Sequence, residues 1–324
     1  MTSPTLTSDN ASRLMRLRQF GPRLTAPGFR GQSLAFDAQG RHLASMGRGA
    51  EGTLQWWELR DDHPRACANH SVTRGTDVGF LAGGDLLVSL TLQGVLQAWS
   101  TADGTLRHEL RLDAIGLELG VALQGDLVLV TSPRGHALLW DARRGERVLE
   151  LENASTPLQC CALSPDGRLA VAGTREPGNL PGMLRFWETR TGAALPAIDL
   201  DAHSVKAMAF EPSGERLAVA TSENQIHLIE ASSRKRLRTL ESPPVGTHGL
   251  SFSPDGSLLA VACAMAAFVV LRTRDGQQLF SHSDTNDMQA SSALFSPDGR
   301  TLVWGQGDGT VGVWGVAPEH SVTP

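Results

Sequence analysis

Three histidines in the second half of the chain carry imidazole nitrogens that could bind a catalytic metal ion. They are His203, His227 and His248. A catalytic zinc site needs about three such ligands and one open position. His227 falls in the middle of an apolar strand pattern and His248 begins another, so structural roles explain both. We therefore predict no metal ion, no cofactor and no catalytic residue, and we keep a metal-dependent lactonase or hydrolase as the alternative.

Two further patterns are typical of chemical sites but lack the structure that the chemistry needs. Gly47–Gly52 matches the glycine spacing of dinucleotide-binding loops, which requires a helix N-terminus beside the pyrophosphate. The segment that follows, Thr53–Leu59, has the pattern of a strand instead. Asp199 and Asp201 could place two carboxylates on one strand face, but a connector between strands explains them more simply, because charged residues favour exposed loops.

The composition narrows the classes of partner. The net charge of −5 argues against nucleic acid as the main partner. No apolar run approaches the roughly 18–20 residues of a membrane span, and the polar segment Met1–Ala11 does not fit a signal peptide. The four cysteines have neither metal-site nor disulfide-framework spacing: Cys67, Cys160, Cys161 and Cys263. We therefore expect a cytoplasmic protein with reduced thiols and with no membrane partner.

One structural unit recurs along almost the whole chain, most completely at Ser296–Trp314. A tight turn at Pro297–Gly299 precedes a short strand, Thr301–Trp304, and a Gly/Asp turn then leads into a strand that ends at Trp314. The last residue of this unit recurs at intervals of 41 to 47 residues: Trp57, Trp99, Trp140, Trp187, Ile229, Leu271 and Trp314. The turn glycines keep the same register: Gly40, Gly84, Gly125, Gly167, Gly214, Gly256 and Gly299.

This double register predicts the fold. A period of roughly 40–45 residues with four short strands is typical of β-propeller blades. We therefore predict an all-β protein, a single seven-bladed β-propeller with four antiparallel strands in each blade. We expect residues 1–12 to be a disordered N-terminus, residues 13–318 to form the propeller, and residues 319–324 to be a C-terminal tail.

The units resemble WD40 repeats over roughly residues 25–318. The tetrapeptide Ser-Pro-Asp-Gly at Ser164, Ser253 and Ser296 matches the first turn of that family, and Trp140-Asp141 matches its naming dipeptide. The repeats are degenerate, because the turn Asp survives only as Asp308 and the early His only as His203. The resemblance implies a buried His–Ser/Thr–Asp–Trp hydrogen-bond chain, which these departures leave complete in none of the blades. The structural repeat positions are Trp57, Trp99, Trp140, Trp187, Asp308 and Trp314.

The N-terminal segment is predicted to close the ring. Too few residues follow Trp314 for a fourth strand in blade seven, and Leu14–Phe20 resembles the fourth strands of the other blades. An open ring would expose the edges of its first and last blades. A transit peptide is the alternative for the basic segment Arg13–Leu24, because it contains no acidic residue.

The resemblance implies a non-catalytic scaffold that binds a protein partner, and we expect a monomeric propeller. In this fold the connectors between blades and the turns between second and third strands share one face. Blade four carries an insertion on that face, Arg175–Gly182, and Arg134 replaces the usual structural Asp in blade three. The predicted partner-binding residues on this face are Arg134, Arg175, Glu176, His203 and Lys206.

Overall fold

The chain folds into seven four-stranded antiparallel sheets, as the computed structural model shows. The structure describes residues 3–22, 32–47, 51–59, 64–91, 93–111, 120–151, 156–174, 181–243, 246–264, 267–283, 292–306 and 308–318. Those residues contain 28 strands and one short 3-10 helix, Ala11–Arg13. The prediction of an all-β, seven-bladed propeller is confirmed.

The strands of the first four blades follow one another along the chain. Blade one contains β2 (Gln32–Phe36), β3 (His42–Gly47), β4 (Glu51–Glu58) and β5 (Arg65–Thr73). Blade two contains β6 (Gly75–Phe80), β7 (Leu86–Thr91), β8 (Val95–Ser100) and β9 (Leu106–Arg111). Blade three contains β10 (Gly120–Gln124), β11 (Leu127–Thr131), β12 (Ala137–Asp141) and β13 (Glu146–Glu150). Blade four contains β14 (Leu158–Leu163), β15 (Leu169–Thr174), β16 (Met183–Glu188) and β17 (Ala194–Asp199).

Blades five and six repeat this order, and blade seven combines both ends of the described chain. Blade five contains β18 (Val205–Phe210), β19 (Arg216–Thr221), β20 (Gln225–Glu230) and β21 (Arg236–Glu241). Blade six contains β22 (Thr247–Phe252), β23 (Leu258–Cys263), β24 (Ala267–Arg272) and β25 (Gln278–Ser283). Blade seven contains β26 (Ala293–Phe295), β27 (Thr301–Gly305), β28 (Val311–Gly315) and β1 (Met15–Phe20).

The N-terminal strand closes the ring as predicted. β1 pairs antiparallel with β28, with Met15 opposite Gly315 and Phe20 opposite Val311. The ring of Phe20 then meets the indole of Trp57 in blade one edge to face, with 5.2 Å between the ring centroids. The N-terminal strand therefore completes blade seven and also packs against the first blade.

The segment before this strand, residues 3–14, is named the strap here. The structure differs from the expectation of disorder for residues 1–12, because residues 3–12 are placed against the propeller. Leu6 is 1% exposed and joins Ala11 and Leu14 in the apolar cluster between blades six and seven. These three buried side chains dock a stretch that otherwise consists mainly of polar residues. Residues 1–2 and the predicted tail, 319–324, lie outside the described residues.

The ring has two faces that differ in the chain segments they carry. The loop face carries the connectors between blades and the turns between second and third strands. These meet through backbone hydrogen bonds such as Leu158 N–H to Ser132 O, 3.1 Å. The turn face carries the turns between first and second strands and those between third and fourth strands, joined for example by Ala231 N–H to Glu215 O, 2.8 Å.

On the turn face, the first turns of neighbouring blades stack on one another. Gly214 and Gly299 have φ angles of 77° and 69°, in the left-handed region that favours glycine. A Cβ at Gly214 would lie 3.5 Å from Pro165 of the preceding blade, and one at Gly299 would lie 3.5 Å from Pro254. The junctions between blades four and five and between blades six and seven therefore begin with the same proline-on-glycine contact.

Candidate functional site

The predicted partner-binding residue of blade three, Arg134, lies on the loop face. It belongs to the turn between β11 and β12, where its backbone N–H donates to Ser132 Oγ at 3.2 Å. Its side chain is exposed, and it forms no ion pair within the described residues. The guanidinium group is therefore available to a partner.

Two more of the predicted residues lie at the start of blade five. His203 and Lys206 are both exposed, one in the connector that follows β17 and the other on β18. The backbone N–H of His203 donates to Glu223 Oε1 at 3.3 Å, which ties the connector to the turn between β19 and β20. Lys206 has no ion-pair partner in the part of the chain that the structure describes. Arg175 and Glu176 lie outside the described residues.

Arginines on the turn face are mostly paired with carboxylates. Arg144 lies 3.7 Å from Asp141, and Arg190 lies 3.8 Å from Glu188. Arg143 bridges two blades, because its guanidinium group is 2.8 Å from Asp85 of blade two and 2.8 Å from Asp126 of blade three. The hydrogen bond from Arg143 lowers the pKa of Asp85, and the two carboxylates raise the pKa of Arg143. These turn-face charges are satisfied within the propeller.

The structural repeat positions lie mainly in the core between blades. Four of the closing tryptophans are buried, with exposures of 1–9%: Trp57, Trp99, Trp187 and Trp314. Trp140 is only half-buried, and its Nε1 has no hydrogen-bond partner among the described residues. Trp99 Nε1–H donates to Ser89 Oγ at 3.0 Å, which is one link of the predicted chain. Asp308 accepts from the backbone N–H of Thr310 at 3.0 Å, whereas Trp314 Nε1 has no hydrogen-bond partner in the part of the chain that the structure describes.

The candidate metal ligands are not brought together. No group of three or more His, Cys, Asp or Glu side chains within the described ranges could hold a metal ion. His227 is fully buried, and its Nδ1 lies 2.9 Å from Thr239 Oγ1. Burial lowers the pKa of His227, with a smaller contribution from the charge of Arg236. His227 is therefore a neutral, structural side chain of blade five at neutral pH.

The buried thiols are held in their protonated form. Burial raises the pKa of Cys160 and of Cys263 to about 12. It also raises the pKa of Cys161 well above its usual value. A thiol reacts as the thiolate, so these three side chains are inert packing residues at neutral pH.

Among the described residues, no helix has the length and apolar character needed to cross a membrane.

The structure also contains a groove that the sequence analysis did not predict. It has a volume of about 680 Å³ and lies on the turn face between blades four and five. We name it the four–five groove, and its apolar surface consists of Leu169, Leu195 and Ala231, all half-buried. Its rim carries the charged side chains Asp166, Arg168, Glu188, Glu215, Glu230 and Arg234. The sequence signal is a pair of small residues after the closing position, Ala231-Ser232, whereas blade three has Ala142-Arg143 and blade two has Thr101-Ala102.

Comparison with known proteins adds family information to this geometry. A family profile described as the anaphase-promoting complex subunit 4 WD40 domain matches residues 185–246 and 250–323. An uncharacterized WD repeat-containing protein of Synechocystis sp. is 38% identical over 114 residues, which are 34% of this chain and 31% of that protein. A WD repeat-containing protein of Schistosoma mansoni is 24% identical over 196 residues, covering 59% of this chain and 62% of that protein.

A longer match involves a protein with additional regions. Echinoderm microtubule-associated protein-like 2 of Mus musculus is 25% identical over 244 residues, 74% of this chain and 36% of that protein. The chain thus spans less than two thirds of each of these relatives. The ranges matched by the family profile include blade five, most of blade six and the Ser-Pro-Asp-Gly turns at Ser253 and Ser296. The chain is therefore a seven-bladed β-propeller whose repeats are similar to those of WD40-repeat proteins.

Proposed function

We propose that this protein is a non-catalytic, cytoplasmic scaffold that acts as a monomeric propeller and docks a protein partner on its loop face. The observation that supports this proposal is the contrast in charge pairing between the faces. Arg134 and Lys206 are exposed and form no ion pair with any described residue, whereas Arg144 and Arg190 on the turn face lie within 4 Å of carboxylates.

A cationic side chain without an ion-pair partner among the described residues, on the rigid rim of the loop face, can form an ion pair with a docked protein. A partner carboxylate can pair with Arg134 without displacing an internal partner, and arginine is enriched among the residues that dominate binding energy. Two features support a protein partner. WD-repeat proteins are generally interaction scaffolds, and the matched family profile is named for a subunit of a multiprotein complex.

The residues that surround Lys206 define the chemistry of the proposed contact. His203 adds a second polar group three residues before Lys206, and Glu223 accepts a hydrogen bond from the His203 backbone. We propose that the partner presents acidic side chains to Arg134 and Lys206. Arg175 and Glu176, which lie outside the described residues, stay predicted partner contacts on the basis of the sequence.

The test compares charge reversals on the two faces. Affinity purification from the native source would use the wild-type chain, the double variant Arg134→Glu/Lys206→Glu, and the turn-face control Arg144→Glu/Arg190→Glu. We expect quantitative mass spectrometry to find a protein that the loop-face variant loses and the control retains. Equal melting temperatures would show that both variants are folded.

The proposal also makes a quantitative claim once that protein is purified. Its dissociation constant should rise about a thousandfold for the loop-face double variant, because hot-spot cations contribute about 2 kcal/mol each. Loss of binding in the Arg144→Glu/Arg190→Glu control, with unchanged binding in the loop-face variant, would place the docking site on the turn face instead.

A further inference from the structure

The four–five groove has a filled counterpart in the same molecule. The junction between blades six and seven is built from equivalent residues of the repeat, and there the strap occupies the space. Leu258, Leu279 and Val316 at that junction correspond in register to Leu169, Leu195 and Ala231. Leu258 and Val316 are buried in the apolar cluster that contains Leu6, and Leu279 packs against that cluster. Leu169 and Ala231, the counterparts of Leu258 and Val316, are only half-buried because nothing described covers them, whereas Leu195 and Leu279 are both half-buried.

The strap also satisfies a backbone carbonyl at the filled junction. The Leu6 backbone N–H donates to Gly299 O at 2.8 Å. In blades two and four, a threonine two residues after the closing tryptophan donates to the equivalent carbonyl. Those bonds are Thr101 Oγ1 to Gly84 O at 2.8 Å and Thr189 Oγ1 to Gly167 O at 2.6 Å.

Blade five has neither kind of donor. Ala231 occupies the threonine position and has no hydroxyl group, and no described residue donates to Gly214 O. Gly214 and Ala231 both line the four–five groove. The groove thus offers an acceptor and an apolar surface at the positions that the strap covers at the six–seven junction.

Other junctions are closed by side chains of the propeller. Arg143 spans the junction between blades two and three, where it binds Asp85 and Asp126. At the position equivalent to Arg143, blade five has Ser232, which is too short to reach the neighbouring turn. Between blades five and six, the buried Glu211 side chain lies against Gly256 and accepts from Arg216 Nε at 2.7 Å. The hydroxyl group of Thr273 in blade six makes no hydrogen bond to a described residue.

The charges on the rim of the four–five groove determine which kind of extended peptide segment would complement it. Four carboxylates line it against two guanidinium groups: Asp166, Glu188, Glu215 and Glu230 against Arg168 and Arg234. Arg168 lies 3.9 Å from Asp166, and Glu188 lies 3.8 Å from Arg190, so Glu215 and Glu230 remain on the rim against Arg234. A segment that carries Lys or Arg beside its apolar residue complements this rim, because opposite charges favour association.

We propose that the four–five groove binds an extended segment of a partner protein in which a leucine-type side chain is flanked by lysine or arginine. The leucine covers Leu169, Leu195 and Ala231, and a backbone N–H of the segment donates to Gly214 O. The basic side chains pair with carboxylates of the rim, such as Glu215 and Glu230. This surface lies on the turn face, so the inference goes beyond the loop-face proposal and does not rest on it.

A short peptide copied from the strap provides the probe. It has the sequence Lys-Pro-Thr-Leu-Thr-Lys, which places Pro4–Thr7 between two lysines, and it carries a fluorescent label. Fluorescence anisotropy would measure its binding to the full chain and to two groove-filling variants. Ala231→Thr supplies the hydroxyl donor found in blades two and four, and Ser232→Arg supplies the bridging cation found in blade three. Both changes introduce residues that sibling blades already carry at these positions.

We expect the peptide to bind the wild-type chain and both variants to bind it more weakly. Ala231→Thr should raise the dissociation constant about fivefold, which corresponds to about 1 kcal/mol for one replaced hydrogen bond. Ser232→Arg should raise it further, because it also fills the groove and opposes the lysines. The matched control Ala102→Arg, at the same position of blade two, and Arg134→Glu/Lys206→Glu should both leave it unchanged.

Several results would overturn the inference. These are no binding of the lysine peptide, equal binding of the peptide in which both lysines are replaced by glutamate, and unchanged binding in Ser232→Arg with an unaltered melting temperature. Sedimentation of the wild-type chain tests the other occupant. Self-association that Ser232→Arg abolishes would identify a second copy of the chain, rather than a partner segment, in the groove.

Discussion

Two junctions of the propeller have equivalent first turns but differ in what covers them. One lies between blades six and seven and the other between blades four and five. Both begin with a proline of one blade stacked on the turn glycine of the next, Pro254 on Gly299 and Pro165 on Gly214. The first is then filled by Leu6 of the strap, and the second remains an open groove of about 680 Å³. The repeat therefore determines which residues flank a junction between blades, but not whether another segment of the chain covers them.

Each filled junction takes its filling from a different part of the chain. The strap supplies an apolar side chain and an amide, Arg143 supplies a cation between two carboxylates, and Glu211 supplies a buried carboxylate paired with Arg216. Each of these three groups either buries apolar surface or supplies an interaction partner for polar groups at the junction. A junction without such a filling is a site where something else can bind.

The largest expected effect concerns the N-terminal segment, which provides both the strap and the closing strand. Deleting residues 1–24 removes β1 and exposes the edge of β28, whereas deleting residues 1–12 removes Leu6 and Ala11 but keeps β1. We expect thermal unfolding to show a large loss for the longer deletion and a smaller, clear loss for the shorter one. A shorter deletion that melts like the full chain would mean that the strap contributes nothing to the six–seven junction.

A point substitution isolates the strap leucine from the rest of the segment. Leu6→Ala removes a fully buried side chain and should cost about 2–5 kcal/mol. Leu195→Ala removes a half-buried side chain from the open groove, and we expect it to cost clearly less because its surface is already partly in water. Urea unfolding of both variants measures the difference, and equal costs would contradict the distinction between filled and open junctions.

The sequence predicted the features that repeat, and it missed those that occur once. Ring closure was predictable because blade seven lacks a fourth strand after Trp314 and Leu14–Phe20 has the pattern of one. The docking of Leu6 was not, because a single leucine in a polar stretch has no periodicity. Arg134 and Arg143 are the same residue type in neighbouring turns, and only the positions of Asp85 and Asp126 show that Arg143 is paired.

The same distinction between repeated features and features that occur once applies to the candidate site. That Arg134, His203 and Lys206 share the loop face could be predicted, because the order of strands within a blade fixes which turns lie together. The four–five groove needed the structure, because its openness depends on the small size of Ala231 and Ser232 relative to their counterparts. The signal in the sequence was Thr at the equivalent position of blades two and four and Ala in blade five.

A smaller change in the free energy of unfolding is expected when the carbonyl oxygen of Gly214 in blade five gains a hydrogen-bond donor. Ala231→Thr should stabilise the folded chain by about 0.5–1.5 kcal/mol if its hydroxyl donates to Gly214 O, as Thr189 donates to Gly167 O in blade four. The reciprocal change, Thr189→Ala, should destabilise it by a similar amount. Denaturant unfolding of the two variants measures both changes. No gain from Ala231→Thr, together with a loss from Thr189→Ala, would mean that Gly214 is not positioned like Gly167.

The smallest effect is a pH dependence from His227 of blade five. Burial lowers the pKa of His227 in the folded chain, so below the unfolded pKa of about 6.5 the unfolded chain binds more protons than the folded one. His227 therefore contributes full stability above that value and loses it as the pH falls toward the folded pKa. The slope cannot exceed about 1.4 kcal/mol per pH unit for one proton.

His227→Gln separates this contribution from other titrating groups. Glutamine retains a hydrogen-bonding group for Thr239, which lies 2.9 Å from His227 Nδ1, but it does not titrate. The free energy of unfolding should therefore fall less for the variant than for the wild-type chain between pH 7.5 and 5.5. Parallel curves would mean that His227 binds protons equally in both states. A steeper fall in the variant would require a folded pKa above the unfolded one, which contradicts a buried, neutral side chain.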